Sequence, residues 1–199
     1  MKTVEKQKEV ALTILEQLRV VDPHCILAGG APRDWYFTNP ANDLDFYFTS
    51  TSSTIDSNRK QLERALGQEL SLLMDKPDRG RLGEEYQSME SLRRIWEFER
   101  GGVPVQLMQL FSPGDQFKIV DQMDVSICKA WWLGEEIHLH TDFQLTLASN
   151  VMFLKGGYSW DKKHAVKMAE RFPKMIRGRK ETAEQVIIRN ALKEKVYEN

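Results

Sequence analysis

Only two cysteines occur in the 199 residues, Cys25 and Cys128. Both sit in apolar stretches, where a small buried thiol is the ordinary expectation. Two are too few for a disulfide framework or a cysteine-based zinc site. Long apolar runs are missing as well: stretches such as Ile26-Leu27-Ala28 fall far short of the roughly 18 residues a membrane-spanning helix needs. The chain has almost no net charge, with 28 Lys+Arg against 29 Asp+Glu. Its first nine residues are threaded with Glu and Lys and hold no apolar block, so they do not read as a signal peptide. The four histidines are scattered, and the closest pair, His138 and His140, alternates as on one exposed strand face. Secreted, membrane and zinc-finger readings fall away. What remains is a soluble, cytoplasmic globular protein of one domain, or a domain with a small appendage.

Val4, Val10, Ala11, Ile14, Leu15 and Leu18 recur at helical spacing, and Asp22-Pro23 closes that helix. Cys25 to Ala28 reads as a short strand running into Gly29-Gly30, and residues 33–37 as a short helix. Asp43 to Phe48 alternates with period two, as a strand does. Candidate caps at Thr51 to Thr54 open a helix reaching about Leu66, and residues 74–90 read as a long polar loop. Leu92 to Glu99 and Val103 to Leu110 flank Gly101-Gly102 as a hairpin, and a second hairpin spans Val125 to Trp132 and Ile137 to His140. Helices are expected near 142–154, 160–172 and 181–197. The order predicts an α+β fold, a mixed sheet with flanking helices followed by a C-terminal helical part, divided as residues 1–140 and 141–199.

One constellation carries chemistry. Gly29-Gly30 follows a strand and is joined by Arg33-Asp34; eight residues later come Asp43 and Asp45. Two glycines let a backbone approach a ligand closely, and amides entering a helix suit a phosphate. Asp43 and Asp45 are two apart on a strand, so their carboxylates share a face. Carboxylates held together repel unless a cation lies between them, and hard oxygen ligands select Mg²⁺ or Mn²⁺. A phosphate cradle facing such a pair is what nucleotidyl transfer requires.

The pattern Gly29-Gly30-x-x-Arg33-Asp34, eight residues, Asp43-x-Asp45 resembles the signature of polymerase-β-type nucleotidyltransferases. Within them it is closest in kind to the poly(A) polymerase and tRNA CCA-adding branch. Asp124-Val125-Ser126-Ile127 resembles that branch's Asp-Phe-Thr-Ile core. The resemblance covers residues 20 to 135 and implies a polymerase-β-like sheet and a metal-dependent transferase with NTP and an RNA 3′ end as substrates. It implies catalytic Asp43, Asp45 and Asp124, metal on Asp43 and Asp45, and nucleotide binding at Gly29, Gly30, Arg33 and Asp34. Three departures mark a shortened, divergent member whose compactness suits a phage or mobile element. Gln106 stands where a further carboxylate is common; the motif resemblance gives Asp124 the stronger claim to replace it, with Glu97 and Glu99 as alternatives on one strand face. Gln122-Met123 replaces a double arginine, and no Glu-Asp-x-x-Arg element follows, which leaves ATP or another NTP open.

Residues 161–180 hold eight Lys+Arg against two acids, a local +6 that leaves −7 for the rest. Beside a nucleotidyltransferase head such a segment suits an RNA backbone, with Lys174, Arg177 and Arg179 as candidate contacts. Trp131-Trp132 and Tyr158-x-Trp160 are candidate base-stacking groups, although neighbours on a strand face opposite ways and one of the pair belongs to the core. Met168, Met175, Ile176, Val186, Ile187 and Leu192 read as core or interface. Two other functions fit the same residues: nucleotide transfer to a protein or small molecule, and a non-catalytic RNA- or protein-binding module that keeps the fold.

Overall fold

The computed structural model describes residues 3–50, 54–75, 91–155 and 159–178. The expected helix at 181–197, most of the expected loop at 74–90, and Tyr158, Val186, Ile187, Leu192 and Arg179 lie outside them. In chain order the elements are α1 (Val4–Leu18), β1 (Ile26–Ala28), α2 (Gly30–Tyr36), β2 (Leu44–Thr49), α3 (Ile55–Leu66), β3 (Ser71–Asp75), β4 (Leu92–Arg100) and β5 (Val103–Leu110). Then follow α4 (Asp115–Gln122), a 3₁₀ turn (Ser126–Cys128), β6 (Ala130–Trp132), β7 (Ile137–Leu139), α5 (Thr141–Ser149), β8 (Val151–Phe153), α6 (Lys163–Arg171) and β9 (Ile176–Gly178).

The first seven strands make one mixed sheet in the order β3-β4-β5-β2-β1-β6-β7, with β2 and β5 the parallel pair. The expected α+β sheet with flanking helices is therefore observed. Alternation along the strands sends Leu44, Phe46 and Phe48 to one face, where they pack under α1 and α3 with Val105, Leu107 and Trp96. Tyr47 and Met108 point to the other face and join Ile26, Ile119, Phe143 and Met168 in a second cluster. Fully burying each such side chain contributes about 1.5–3 kcal/mol. Two buried polar side chains brace the segments that lead to the site. Gln7 on α1 donates to the Ala41 carbonyl (2.7 Å) and accepts from Ala41 N (2.8 Å) and Trp35 Nε1 (3.0 Å), fixing the loop before Asp43. Asp22 accepts from Thr49 N (2.7 Å) and Gln116 Nε2 (2.6 Å), tying the end of β2 to α4.

Three expectations need correction. The strand from Val125 is shorter, because Ser126 is tied to Thr146 (2.6 Å) and to Phe153 N (3.1 Å) and the chain turns there. The helix near 142–154 stops at Ser149: Asn150 takes a left-handed φ of 54°, and β8 then pairs in parallel with β9. The C-terminal part thus adds a small two-stranded sheet to its helices, and α5, β8 and α6 share the second core cluster with the main sheet. Finally, Ser71–Asp75 is a strand at the sheet edge, and Met74 and Asp75, expected in the loop, belong to it. Trp132 is the core tryptophan, edge-on to Trp35 at 5.5 Å, while Trp131 stacks on His138 at 5.3 Å.

Candidate active site

Gly29 is where β1 stops. It holds a φ of 88°, which side-chain-bearing residues rarely adopt, and a Cβ there would lie 3.3 Å from Met123 Cε. Its N–H donates to the Ala130 carbonyl (2.9 Å), adding a rung to the β1–β6 ladder. That donor is therefore used within the sheet. Asp43 sits just before β2 and Asp45 within it, two residues apart on the face opposite α1 and α3.

Gly29, Gly30, Arg33, Asp34, Asp43, Asp45 and Asp124, far apart in the chain, line one cavity of about 170 Å³. Gln122 and Met123 close one side of it, and His164, Lys167, Met168 and Arg171 come from one face of α6 at the spacing of successive helical turns. Lys174 and Arg177 are exposed and lie away from the cavity; the basic segment therefore splits, with part of its charge turned inward. Gln106 is the register partner of Asp45, and Glu97 is the register partner of Gln106. Glu97 is thus two strands from Asp45 on the same face, and Glu99 lies further along. Among the described residues no three His, Cys, Asp or Glu side chains gather as a ready metal site.

The cavity wall is heavily ion-paired. Asp34 is almost wholly buried and accepts from Arg33 Nε (2.8 Å) with one oxygen and from Arg171 Nη2 (2.7 Å) with the other. Arg33 also donates through Nη1 to Cys128 Sγ (3.2 Å) and Met168 Sδ (2.9 Å), with the Phe172 ring 5.8 Å from its guanidinium carbon. Asp124 is held by His164, whose Nδ1 lies 2.8 and 2.9 Å from the two carboxylate oxygens. Burial acts to lower the His164 pKa, but the hydrogen bonds to Asp124 and Cys128 and the charges of both push it up to about 10. Burial pushes the Cys128 thiol up, yet the Arg33 charge and the His164 hydrogen bond outweigh it and hold the thiol below its ordinary value.

No protein-family model matches the chain, and no curated protein matches it by sequence. Solved structures do. A tRNA-processing enzyme (apo form I) aligns at TM-score 0.57 and 15% identity over 90% of this chain and 45% of its own. A CCA-adding enzyme in complex with CTP aligns at 0.57 and 14% over 99% and 47%. The Thermotoga maritima CCA-adding enzyme complexed with tRNA gives 0.57 and 14% over 97% and 46%. The chain has the CCA-adding enzyme fold. It spans less than half the length of these proteins. Among the described residues of this nucleotidyltransferase fold, no helix is long and apolar enough to cross a membrane.

Reading the residues alone identified the glycine–aspartate half of the cavity and missed the half built by His164, Lys167, Arg171 and Cys128. The +6 segment was the available signal for α6, and Cys128 gave none beyond its place four residues after Asp124.

The coupled His164 and Cys128 have a consequence for stability. A raised His164 pKa contributes stability that is complete below 6.5 and lost as pH rises to about 10. A lowered Cys128 pKa contributes stability that is complete above 9.0 and lost as pH falls. His164→Gln removes the first contribution, so its stability deficit relative to wild type should be largest near pH 6.5 and shrink as pH rises towards 10. Urea unfolding of the two proteins across that range gives the profiles, and parallel curves would show that the His164 proton contributes nothing to stability.

Proposed function

We propose that this chain is a divalent-metal-dependent nucleotidyltransferase that moves NMP from an NTP to an acceptor hydroxyl, with an RNA 3′ end as the acceptor. The observation that supports it is the meeting of Asp43, Asp45, Gly30 and the cationic face of α6 in one cavity of a CCA-adding enzyme fold. The CCA-adding neighbours include complexes with CTP and with tRNA, which favours an NTP and RNA as substrates.

The donor set fits Mg²⁺ or Mn²⁺. Two carboxylates on one strand face give hard oxygen ligands, and a magnesium ion completes its shell with water and substrate phosphates rather than a full protein cage. Asp43 and Asp45 would hold the metal, which when bound lowers the pKa of the attacking hydroxyl and neutralises charge on the triphosphate. Lys167 and Arg171 would set positive charge against the phosphates on the far wall, a role Gln122 and Met123 cannot fill. Arg33 and Asp34 would hold the loop and α6 in place, since both oxygens of Asp34 are already taken by arginines. With Asp124 committed to His164, it would position α6 rather than contact metal.

The test is incubation of the protein with each α-labelled NTP, Mg²⁺, and RNA, lysate protein or small molecules in turn. Label in RNA supports the reading, label in protein or a small molecule moves the acceptor, and label nowhere returns the chain to a binding module. For the RNA path we place Lys174, Arg177 and Arg179 against the phosphates. Charge reversal at the three should reduce the salt slope of RNA affinity by roughly 0.7 for each phosphate that is no longer neutralised, equally for unrelated sequences. Salt titrations with identical slopes for wild type and variant would remove this segment from the RNA path.

A further inference from the structure

The sheet face turned away from the cavity carries polar side chains where α3 meets β4 and β5. Arg94 and Gln109 are register partners, Trp96 lies two residues beyond Arg94 on the same face, and Gln109 is opposite Phe48 of β2. Asn58 comes from α3, whose buried stripe is Asn58, Leu62 and Leu66. That helix is pinned at two points. Ser50 Oγ, just past β2, donates to Gln61 Oε1 at 3.2 Å, and Arg100 Nη2 at the end of β4 donates to the Leu66 carbonyl at 2.6 Å. From Leu66 back to Asn58 the helix spans about 12 Å, which about four residues of strand also cover. Counting back from Arg100 by that distance sets Asn58 over β4 at Trp96, with Arg94 and Gln109 beside it.

Asn58, Trp96 and Gln109 are fully buried, and Arg94 is 6% exposed. Asn58 Nδ2 and Oδ1, Gln109 Nε2 and Oε1, Trp96 Nε1 and Arg94 Nη1 are all shut off from solvent. None of the six has a hydrogen-bond partner among the described residues. Leaving such an atom bare costs more than an ordinary hydrogen bond gains, so buried polar atoms are nearly always paired with protein or ordered water. Charge and donor type decide what pairs with these. Arg94 Nε already donates to Asp75 at 2.9 Å, so the group is neutral, and an anion would add a buried charge with no counter-charge. A cation has nothing to offer the four N–H donors. Two carbonyl oxygens need a donor while those four nitrogens need an acceptor. Water meets both needs at the smallest size.

We propose that the junction of α3 with β4 and β5 is a binding site for ordered water, an internal cluster held by Asn58, Trp96, Gln109 and Arg94. An internal water makes about three hydrogen bonds, so six atoms call for at least about two molecules. These waters donate to the two amide carbonyls and accept from the indole, guanidinium and amide N–H groups. Leu62 and Phe48 give this layer only non-directional contact, which lets a helix slide along a sheet. The water bridges are directional and fix how far along β4 the helix sits. Asp43 and Asp45 are on the other face of the sheet, so the site stands apart from any nucleotide chemistry.

The first test uses the unaltered full chain. In isotope-labelled protein the Trp96 indole N–H and the side-chain amides of Asn58 and Gln109 should show dipolar cross-relaxation from water, separated from proton exchange by its opposite sign in the rotating frame. Absence of that transfer at all three groups overturns the proposal. Chloride and inorganic phosphate are then titrated against the same signals. The Trp96 indole resonance should stay in place, and a saturable shift would put an anion in the site instead of water. The second test compares urea unfolding of the wild type with Asn58→Leu and Gln109→Met, which remove the polar ends while keeping apolar bulk. With water in place, each substitution strands the atoms left behind, and the folded-to-unfolded ratio should fall about tenfold. Were the six atoms bare, each substitution would remove two unpaired atoms and raise the urea midpoint. A rise in either variant therefore overturns the proposal, and the measurements on the wild type decide it even where a variant fails to fold.

Discussion

Asp45→Ala should abolish nucleotide transfer while leaving the fold intact. Asp43 and Asp45 sit two apart on one strand face at the cavity, and among the described residues the cavity supplies no third protein ligand to share the metal's charge. The substitution therefore removes half of the protein's contribution to the ion. A metal acting as Lewis acid supplies several kcal/mol of transition-state stabilisation, so the loss in kcat should be at least about a thousandfold. Without metal the two carboxylates repel, and the substitution relieves that repulsion. A folded Asp45→Ala protein that retained transfer would remove the metal from Asp43 and Asp45. The companion comparison is Gln106→Glu, which sets a carboxylate beside Asp45 on the neighbouring strand. If the missing third carboxylate limits the reaction, that variant should be faster than wild type.

The legible half of the site was local in sequence. Gly29-Gly30, Arg33-Asp34 and Asp43-Asp45 fall within one stretch of strand, turn, short helix and strand, where backbone rules fix which side chains share a face. Register is not local. That Asp45, Gln106 and Glu97 follow one another across three strands depends on β2 pairing in parallel with β5, which no periodicity announces. The inward turn of α6 was hidden for a related reason. His164, Lys167 and Arg171 share a face, but a basic helix with little apolar surface gives no signal for which charged face meets the protein. What selects that face is Asp34 and Asp124, both more than 35 residues away in the chain. The short strands β8 and β9 were missed because three residues are too few to show alternation. Asn150 in its left-handed conformation was the one available sign that the helix before them had ended.

The largest loss of stability is expected from Asp34→Ala. Asp34 and Arg33 are both nearly excluded from water, and Asp34 is the carboxylate that Arg33 contacts. Removing it leaves the buried Arg33 guanidinium, among the described residues, beside the Cys128 and Met168 sulfurs and the Phe172 ring and without a carboxylate contact. Breaking a buried pair from one side costs about 3–5 kcal/mol, since the remaining charge is uncompensated. The same substitution frees Arg171 and so unties α6 from α2, the joint that closes the cavity. Arg171→Ala should cost less, because its side chain is 26% exposed and Asp34 keeps Arg33 as a partner. The double variant should cost less than the sum of the two, because Asp34→Ala already breaks the ion pair that Arg171→Ala removes. Urea denaturation of the three variants gives both numbers. If Asp34→Ala cost no more than Arg171→Ala, the pair with Arg33 would contribute little, and Asp34 would be available to a ligand in the cavity rather than held between two arginines.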